Sequence, residues 1–474
     1  MTTPNTRAPA EAHAPTGNPW HTLVAVAFGV MMVGLDGTIV AVANPAIGAG
    51  LGASMDQLQW VLHGYLLGLA AFLVTAGRLG DRFGHRRTYT VGLVGFVATS
   101  VVIALAPTVA ALVALRVLQG IFGALLIPAA MGLLRTSFPP EKLGRAFGAA
   151  SALISTATAA GPFVGGVLVD TFGWEAVFLV NLPVGILAFA LGLRLLPPNR
   201  ATDSSTRTDP LGIVLIGLSM FGLVRALVEG PHRGWADPAA ALPLGGALLA
   251  GAVFVWWQRS TDHPLLPLEL FANRTLSIGA VLMICMAIGL MGTLFYATFY
   301  LQDVRGLAPA QAGLVLLPMT AMMAVTSPLA GRVLDRASLA APTVLGLLAA
   351  AAGVFLLSRL EQDTAVLSMT GAFALLGAGL GAVMTGATAA IVGSAPVRLA
   401  GVASALQQAA MQLGGSLGTA LLGAMMAADA VSGTDPAVFM DGLGRAFTLA
   451  AAVLLAAAVP ALFLRRRTPV DQVV

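Results

Sequence analysis

The sequence is short of charge. Only 10% of its 474 residues are Asp, Glu, Lys or Arg, against about 25% in an ordinary soluble domain. That deficit excludes a soluble globular protein and leaves a chain whose main solvent is lipid. Cysteine is scarcer still. Cys285 stands alone, which rules out an internal disulfide or a cysteine-based metal cluster and reads as a small apolar filler. Lys142 is the only lysine among 25 basic residues. The six histidines are scattered, so no clustered nucleophile, base or metal site of the kind an enzyme needs is in view. No Gly-rich phosphate loop ending in Lys-Ser/Thr occurs, which removes a nucleotide-driven pump and leaves an ion gradient as the expected driving force. Loops too short for a sensing or output domain argue against a receptor. No cofactor, metal, nucleic acid or obligatory protein partner is expected.

What the chain has is apolar length, 57% of it hydrophobic. A bilayer-spanning helix needs about 20 largely apolar residues. Cutting at polar, Gly-rich and Pro-rich breaks gives fourteen spans: 20–43, 58–77, 89–106, 109–131, 145–168, 175–195, 211–229, 239–258, 276–300, 311–331, 341–358, 365–392, 400–426 and 445–464. Residues 1–19 are polar and rich in Pro and Ala, and the first apolar run is longer than a signal-peptide core. They read as a disordered cytoplasmic tail ahead of a retained helix, with residues 465–474 as a second tail.

The arginines orient these spans. Nineteen basic residues fall on the side of the N-terminus and four (Arg233, Arg305, Arg359 and Arg445) on the other, while Arg116 and Arg225 lie within spans. Short-loop Lys/Arg bias marks the cytoplasmic side, so both termini are expected in the cytoplasm of a cell (plasma) membrane protein, most simply a bacterial inner-membrane one. An internal echo supports the frame. "GRLGDR" (77–82) follows helix 2 and "GRVLDR" (331–336) follows helix 10, a weak repeat of the transporter type. The expected architecture is all-α: an N-terminal six-helix bundle (20–196), a linker with two extra helices, 7 and 8 (197–274), and a C-terminal six-helix bundle (275–464).

Two charges sit inside the membrane. "VMMVGLDGTIVAVANP" (30–45) carries Asp36 in helix 1, and "RVLQGIFGA" (116–124) opens on Arg116 in helix 4. With helix 1 ending near Ala43 and helix 4 entering near Val109, both lie about 10 Å below the far surface. Each alone would cost roughly 2.5–3.5 kcal/mol on insertion scales, so the two are expected to pair directly or through water. Separate exposure to a wet cavity is the alternative. Desolvation and a neighbouring arginine push a carboxyl's affinity for protons in opposite directions, so protonation of Asp36 can follow conformation. Gln119, one turn inward, can relay or orient. A purely structural Asp–Arg pair remains the bland alternative.

In helix 5, Ser155 to Gly166 is almost entirely Ser, Thr, Ala, Gly and Pro. Small residues allow close helix packing, and Pro162 frees a carbonyl and bends the helix. "GGSLGT" (414–419) gives helix 13 a similar face. Arg225 and Glu229 read as a structural i,i+4 pair. His63, Tyr65, Asn181, Tyr296, Tyr300, Gln407, Gln408 and Gln412 are polar groups at membrane depth. Each either lines a substrate cavity or is satisfied by a neighbouring helix. Helices 9–14 as parsed hold no acidic residue, which favours neutral or monocationic amphiphiles over dications.

These stretches together resemble the major facilitator superfamily, in particular its 14-helix drug:proton antiporter branch. "GRLGDRFGHRR" (77–87) is similar to the superfamily's loop 2–3 motif, with Gly77, Asp81, Arg82, Gly84, Arg86 and Arg87 in matching places. "RVLQGIFGA" resembles its helix 4 motif, "AAGPFVGG" (159–166) the antiporter motif, and "LDGTIVAVANP" (35–45) the helix 1 motif, save that Asn44 stands where a leucine is usual. The resemblance implies proton-driven efflux of a small hydrophobic or amphiphilic compound, such as an antibiotic, by alternating access. Transport of one specific metabolite is the alternative. It assigns Asp36 to proton coupling and Arg116 to tuning it. It makes Gly77, Arg78, Asp81, Arg82, Arg86, Arg87 and Arg145 a latch between bundles, and Gly161, Pro162, Gly165 and Gly166 the antiporter motif. The same loop arginines also favour contact with anionic membrane lipid.

Overall fold

The structure, a computed structural model, describes residues 19–196, 209–262, 264–266, 268–336, 339–395, 400–427 and 436–464. The expected tails, apart from Pro19, lie outside the described residues. Fourteen long helices and no strand are found among them. They are α1 (Pro19–Leu51), α2 (Met55–Phe83), α3 (His85–Ala104), α4 (Val109–Ser137), α5 (Pro140–Phe172), α6 (Ala176–Leu195) and α7 (Pro210–Arg233). The chain continues as α8 (Pro238–Ser260), α9 (Arg274–Phe299), α10 (Pro309–Arg336), α11 (Ala340–Leu357), α12 (Val366–Gly393), α13 (Ala400–Ala427) and α14 (Pro436–Ala461). A π-helical turn, Tyr300–Val304, extends α9. Among the described residues, eleven of the fourteen are long and apolar enough to cross a membrane.

Local chemistry explains the breaks. Ser54 and Gln57 form a reciprocal capping box at the start of α2, and Asp209 and Asp237 cap α7 and α8, each ahead of a proline at the first helical position. Caps of this kind satisfy N–H groups that the helix itself cannot. Gly84, at φ +92°, separates α2 from α3, a backbone that only glycine adopts without strain.

Several helices outrun the sequence expectation. Pro45 lies inside α1 without ending it, because Asn44 and Ile47 on either side are fully buried and packing outweighs the local breaker. The extended α9, α10 and α14 take in Asp303, Asp335 and Asp441, so the absence of acidic residues from helices 9–14 fails at the helix ends.

The two halves share one packing plan. In the first, α2 packs on α4, α4 on α3, α1 on α5, and α6 on α1 and α3. Eight helices on, α10 packs on α12, α12 on α11, α9 on α13, and α14 on α9 and α11. The halves meet along two seams, α2 with α13 and α5 with α10. The inserted α7 lies on α2 and α13 together, and α8 packs on α7, so one seam is covered and the other has no such cover among the described residues. One apolar core runs through the second half and takes in Ile39–Ala43 of α1, Val61 of α2, Leu112 of α4 and Val169 of α5. The rest of the first half, around Val26, Tyr89, Phe96 and Leu134, has a core of its own. The halves are therefore fused at the end away from the start of α1, called here the far end.

Candidate functional site

Asp36 and Arg116 meet. Arg116 Nη1 lies 2.5 Å from Asp36 Oδ2, with both side chains fully buried. The same nitrogen donates to Gln119 Oε1 at 2.6 Å, and Gln119 Nε2 reaches Asp36 Oδ1 at 3.2 Å, so the three residues close a ring. Arg116 Nε donates to the Val61 carbonyl at 3.1 Å, and the guanidinium lies 4.2 Å over the Tyr65 ring. Tyr65 is fixed in turn by its hydroxyl, which donates to the Val33 carbonyl at 3.2 Å. Beyond the ring, Gln119 Nε2 and Asn181 Nδ2 both donate to Ser100 Oγ, at 2.6 and 3.1 Å. Of the polar residues proposed for a cavity, Tyr65 and Asn181 thus belong to this network. Ser100 was not anticipated; its signal was one of several hydroxyls in α3, next to Thr99.

The ring is buried but incomplete. Arg116 Nη2 is buried without a partner. A carboxylate suits the site because it accepts from both Arg116 and Gln119. A protonated Asp36 would give up the ion pair and loosen the arginine. Removing one member of a buried pair costs about 3–5 kcal/mol, so proton uptake here is a large local perturbation.

The antiporter-motif residues connect this ring to the seam between halves. Pro162 has no N–H, so the carbonyl four residues back, that of Thr158, lacks its helical donor. Thr38 Oγ1, from α1, donates to that carbonyl at 2.9 Å, and Thr158 Oγ1 returns a bond to the Gly34 carbonyl at 3.1 Å. Gly34 and Thr38 flank Asp36 on its own helix. Gly161 and Gly165 let α1 approach, since a Cβ at Gly165 would meet the Ile39 carbonyl at 2.9 Å. Gly166 faces the Pro309 carbonyl of α10, and a Cβ at Gly313 would sit 2.5 Å from the Pro162 carbonyl. The motif therefore packs against the Asp36 helix on one side and the second half on the other.

The loop 2–3 motif lies at the end of α2 and the start of α3. Gly77 faces Pro128 of α4, in its own half. Arg86 Nη2 donates to the Leu193 carbonyl at 3.1 Å, and Arg82 stacks over Phe83 at 5.2 Å. Arg78 donates to the Pro264 carbonyl, in the segment that follows α8. There Asp209 accepts from Gly212 N–H (2.8 Å), Trp257 Nε1 (2.8 Å) and Gln258 Nε2 (2.7 Å). Burial pushes this carboxyl up, but those donors and the Leu265 N–H outweigh it and hold it below the ordinary aspartate value. Arg87 makes contacts of its own, while the side chains of Asp81 and Arg145 lie outside the described part.

Of the remaining cavity candidates, His63, Tyr296 and Tyr300 are buried in helix packing, the last donating to the Glu361 carbonyl at 2.8 Å. Gln407, Gln408 and Gln412 are half-buried on α13. A cleft between the halves lies elsewhere, beside the α5–α10 seam. Thr38, Thr158, Thr320 and Ser327 give it hydroxyls, and Leu290, Leu294, Met319 and Met323 give it apolar surface. No group of three or more His, Cys, Asp or Glu able to hold a metal occurs among the described residues.

Residues 26–419 match the Major Facilitator Superfamily. The chain belongs to that superfamily. It is a multi-pass membrane transporter of the superfamily and not an enzyme. It is 46% identical to the tetracenomycin C resistance and export protein of Streptomyces glaucescens, over 97% of this chain and 94% of that one. It is 37% identical to the puromycin resistance protein pur8 of Streptomyces alboniger, over 95% and 92%. Among solved structures, a bacterial homolog of the human lysosomal transporter Spinster, inward-facing and unoccupied, superposes with a TM-score of 0.67 at 17% identity, covering 94% of this chain and 96% of that one. That likeness concerns the superfamily fold alone.

Proposed function

We propose that this superfamily member exports a small amphiphilic compound in exchange for protons, with Asp36 as the coupling carboxylate. The buried Asp36–Arg116–Gln119 ring carries the proposal, because it is a protonatable group whose loss of charge breaks a buried ion pair. The rocking bodies are residues 20–196 and 275–464, with 197–274 as linker and inserted hairpin and the tails, 1–19 and 465–474, in the cytoplasm. The arginine asymmetry supports that orientation and makes the far end the outside. Fusion of the cores at the far end then corresponds to a conformation shut toward the outside.

In the cycle, a proton from outside neutralises Asp36, and the pull on Arg116 weakens. The α1 turn that carries Asp36 is bonded to α5 at Thr158, and α5 packs on α10 at Pro162 and Gly166, so the change is felt at the seam. Substrate then exchanges against proton release on the cytoplasmic side. In this conformation the cleft is too narrow for a substrate and would have to widen to admit one; its lining of hydroxyls, leucines and methionines, without a charge, then suits a neutral or monocationic molecule with hydrogen-bonding edges. The relatives named for tetracenomycin C and puromycin support an antibiotic-like substrate.

The test is accumulation of a compound panel in inside-out vesicles, with a protonophore control. Gradient-driven accumulation is expected to fall to background in Asp36→Asn, with substrate binding to the purified variant showing that it still folds. Full accumulation by Asp36→Asn would remove the coupling role. Transport that needs ATP and ignores the protonophore would remove antiport.

A further inference from the structure

The covered seam between α2 and α13 holds polar groups that this cycle leaves unused. On α2, Gln59 and His63 stand one turn apart; Ser416, Thr419 and Gly423 of α13 and Tyr296 of α9 face them. His63 Nδ1 lies 2.9 Å from Ser416 Oγ and 3.4 Å from Thr419 Oγ1, so the ring bonds across the boundary between halves. The Tyr296 hydroxyl donates to the Thr419 carbonyl at 3.3 Å. The imidazole is wholly buried, with Trp60 edge-on at 5.4 Å. Its Nε2 has no partner, and neither has Gln59 Oε1.

We infer that His63 is a second proton-binding residue of the transport cycle, neutral while the α2–α13 seam is shut and protonated when the seam parts toward the outside. The inference rests on the proton antiport proposed above. A neutral imidazole with its proton on Nδ1 donates to a seam hydroxyl and leaves at Nε2 only an unmade acceptor, not a charged donor. An imidazolium carries N–H on both nitrogens, and Nε2 has no acceptor in the shut seam. A buried donor left unmade costs about 1–3 kcal/mol, more when charged. Parting the seam admits water at Nε2 and removes the cost. Protonation and closure therefore exclude one another, and by reciprocity each proton taken from outside holds the seam open.

No carboxylate bonds His63 among the described residues. On α4 the facing group is Arg116, a like charge already committed to Asp36 of α1. On α7, Glu229 pairs with both Arg225 at 2.8 Å and Arg233 at 3.1 Å. The side of α13 turned to His63 offers hydroxyls, and α9 offers Tyr296. The basic residues of α3, His85, Arg86 and Arg87, begin that helix at the opposite end. Asp56, on α2 itself, stands two turns farther out.

The test uses the full chain with Cys285→Ser and spin labels at Ala110→Cys and Asp441→Cys, both exposed. Pulsed dipolar distances are read from alkaline to acidic pH, beside protonophore-controlled vesicle transport. In the parent, the population with long far-end distances is expected to grow as pH falls, by up to about tenfold in open-to-shut ratio per pH unit for a one-proton step. His63→Gln should flatten that dependence, and Asp36→Asn should retain part of it. Ser416→Ala, which deprives the shut seam of its bond to Nδ1, should move the midpoint to higher pH and stands in should His63→Gln not fold. An unchanged pH dependence in His63→Gln, or an unmoved midpoint in Ser416→Ala, overturns the inference. A pH-insensitive parent overturns it too; antiport survives if transport still collapses with protonophore and fails with it otherwise.

Discussion

Asn44 is the residue whose environment fits it least. It is fully buried, and neither the oxygen nor the nitrogen of its amide has a hydrogen-bond partner. An unsatisfied buried polar group costs about 1–3 kcal/mol, and a leucine, which the resemblance puts at this place, carries no such group. Asn44→Leu is therefore expected to raise the melting temperature of the detergent-solubilised protein, by an amount equivalent to about 1–2 kcal/mol; a lower value would show that the amide has a partner such as water. Gln119 is the opposite case, with both ends of its amide engaged. Gln119→Leu should weaken proton-coupled export by about tenfold or more, since charge-linked hydrogen bonds contribute about 1.5–3 kcal/mol each, and Gln119→Glu would bring a second carboxylate to the same arginine. The partnership of Asp36 and Arg116 was legible from their equal depth, although the measuring point was wrong. Helix α1 runs on to Leu51 rather than ending near Ala43. Ser100 and the Val61 carbonyl were not legible, because a backbone acceptor has no signature in sequence and nothing there separates Ser100 from Thr99, whose hydroxyl bonds within its own helix.

At the scale of elements, Pro162 shows how a sequence feature becomes a contact. The freed carbonyl of Thr158 was implied by the proline; that Thr38 of α1 supplies the donor emerged only from packing. The glycines beside it allow a direct prediction. Gly166→Val would drive a side chain into the Pro309 backbone, which has little freedom to yield. The α5–α10 seam should then fail to shut, seen as faster labelling of a far-end cysteine and export reduced by about tenfold or more. A variant with native labelling and export would show that the backbones part easily. Asp209 makes a second element-scale case. Its carboxyl is held below the ordinary aspartate value, so its contribution is complete above the unfolded value and is lost as pH falls through the depressed one. At neutral pH, Asp209→Ala should raise hydrogen exchange in the segments around Gly212 and Leu266 while leaving α4 protected, as acidification below the usual carboxylate range should in the wild type.

At the scale of the whole molecule, the inserted hairpin breaks an otherwise two-fold plan. The sequence placed α7 and α8 between two six-helix halves but could not say where they dock, because their apolar faces suit lipid and protein equally. In the structure α7 spans the α2–α13 seam, with Met220, Val224 and Val228 in a cluster shared by Leu67 of α2 and Ala420 of α13. The proposed rocking would therefore slide α7 against one half. Its base decides which: Asp209 gathers the hairpin, and Arg78 of α2 grips the adjoining Pro264 carbonyl. Directional polar bonds thus fasten the hairpin to the first half, whereas its contact with α13 is apolar and can slip without leaving a polar group unmade. A disulfide between α7 and α2 should then be compatible with turnover. Ala71 and Gly217 suit it, since a Cβ at Gly217 would lie 3.8 Å from that of Ala71, within the span a disulfide bridges. Oxidised Ala71→Cys/Gly217→Cys protein, in a Cys285→Ser background, should keep at least about half of its export, whereas a short bifunctional thiol reagent joining Val224→Cys to Ala420→Cys should reduce export about tenfold or more, reversibly on reduction. If the first link stops transport and the second does not, the hairpin travels with the second half and the Arg78 contact must break in every cycle.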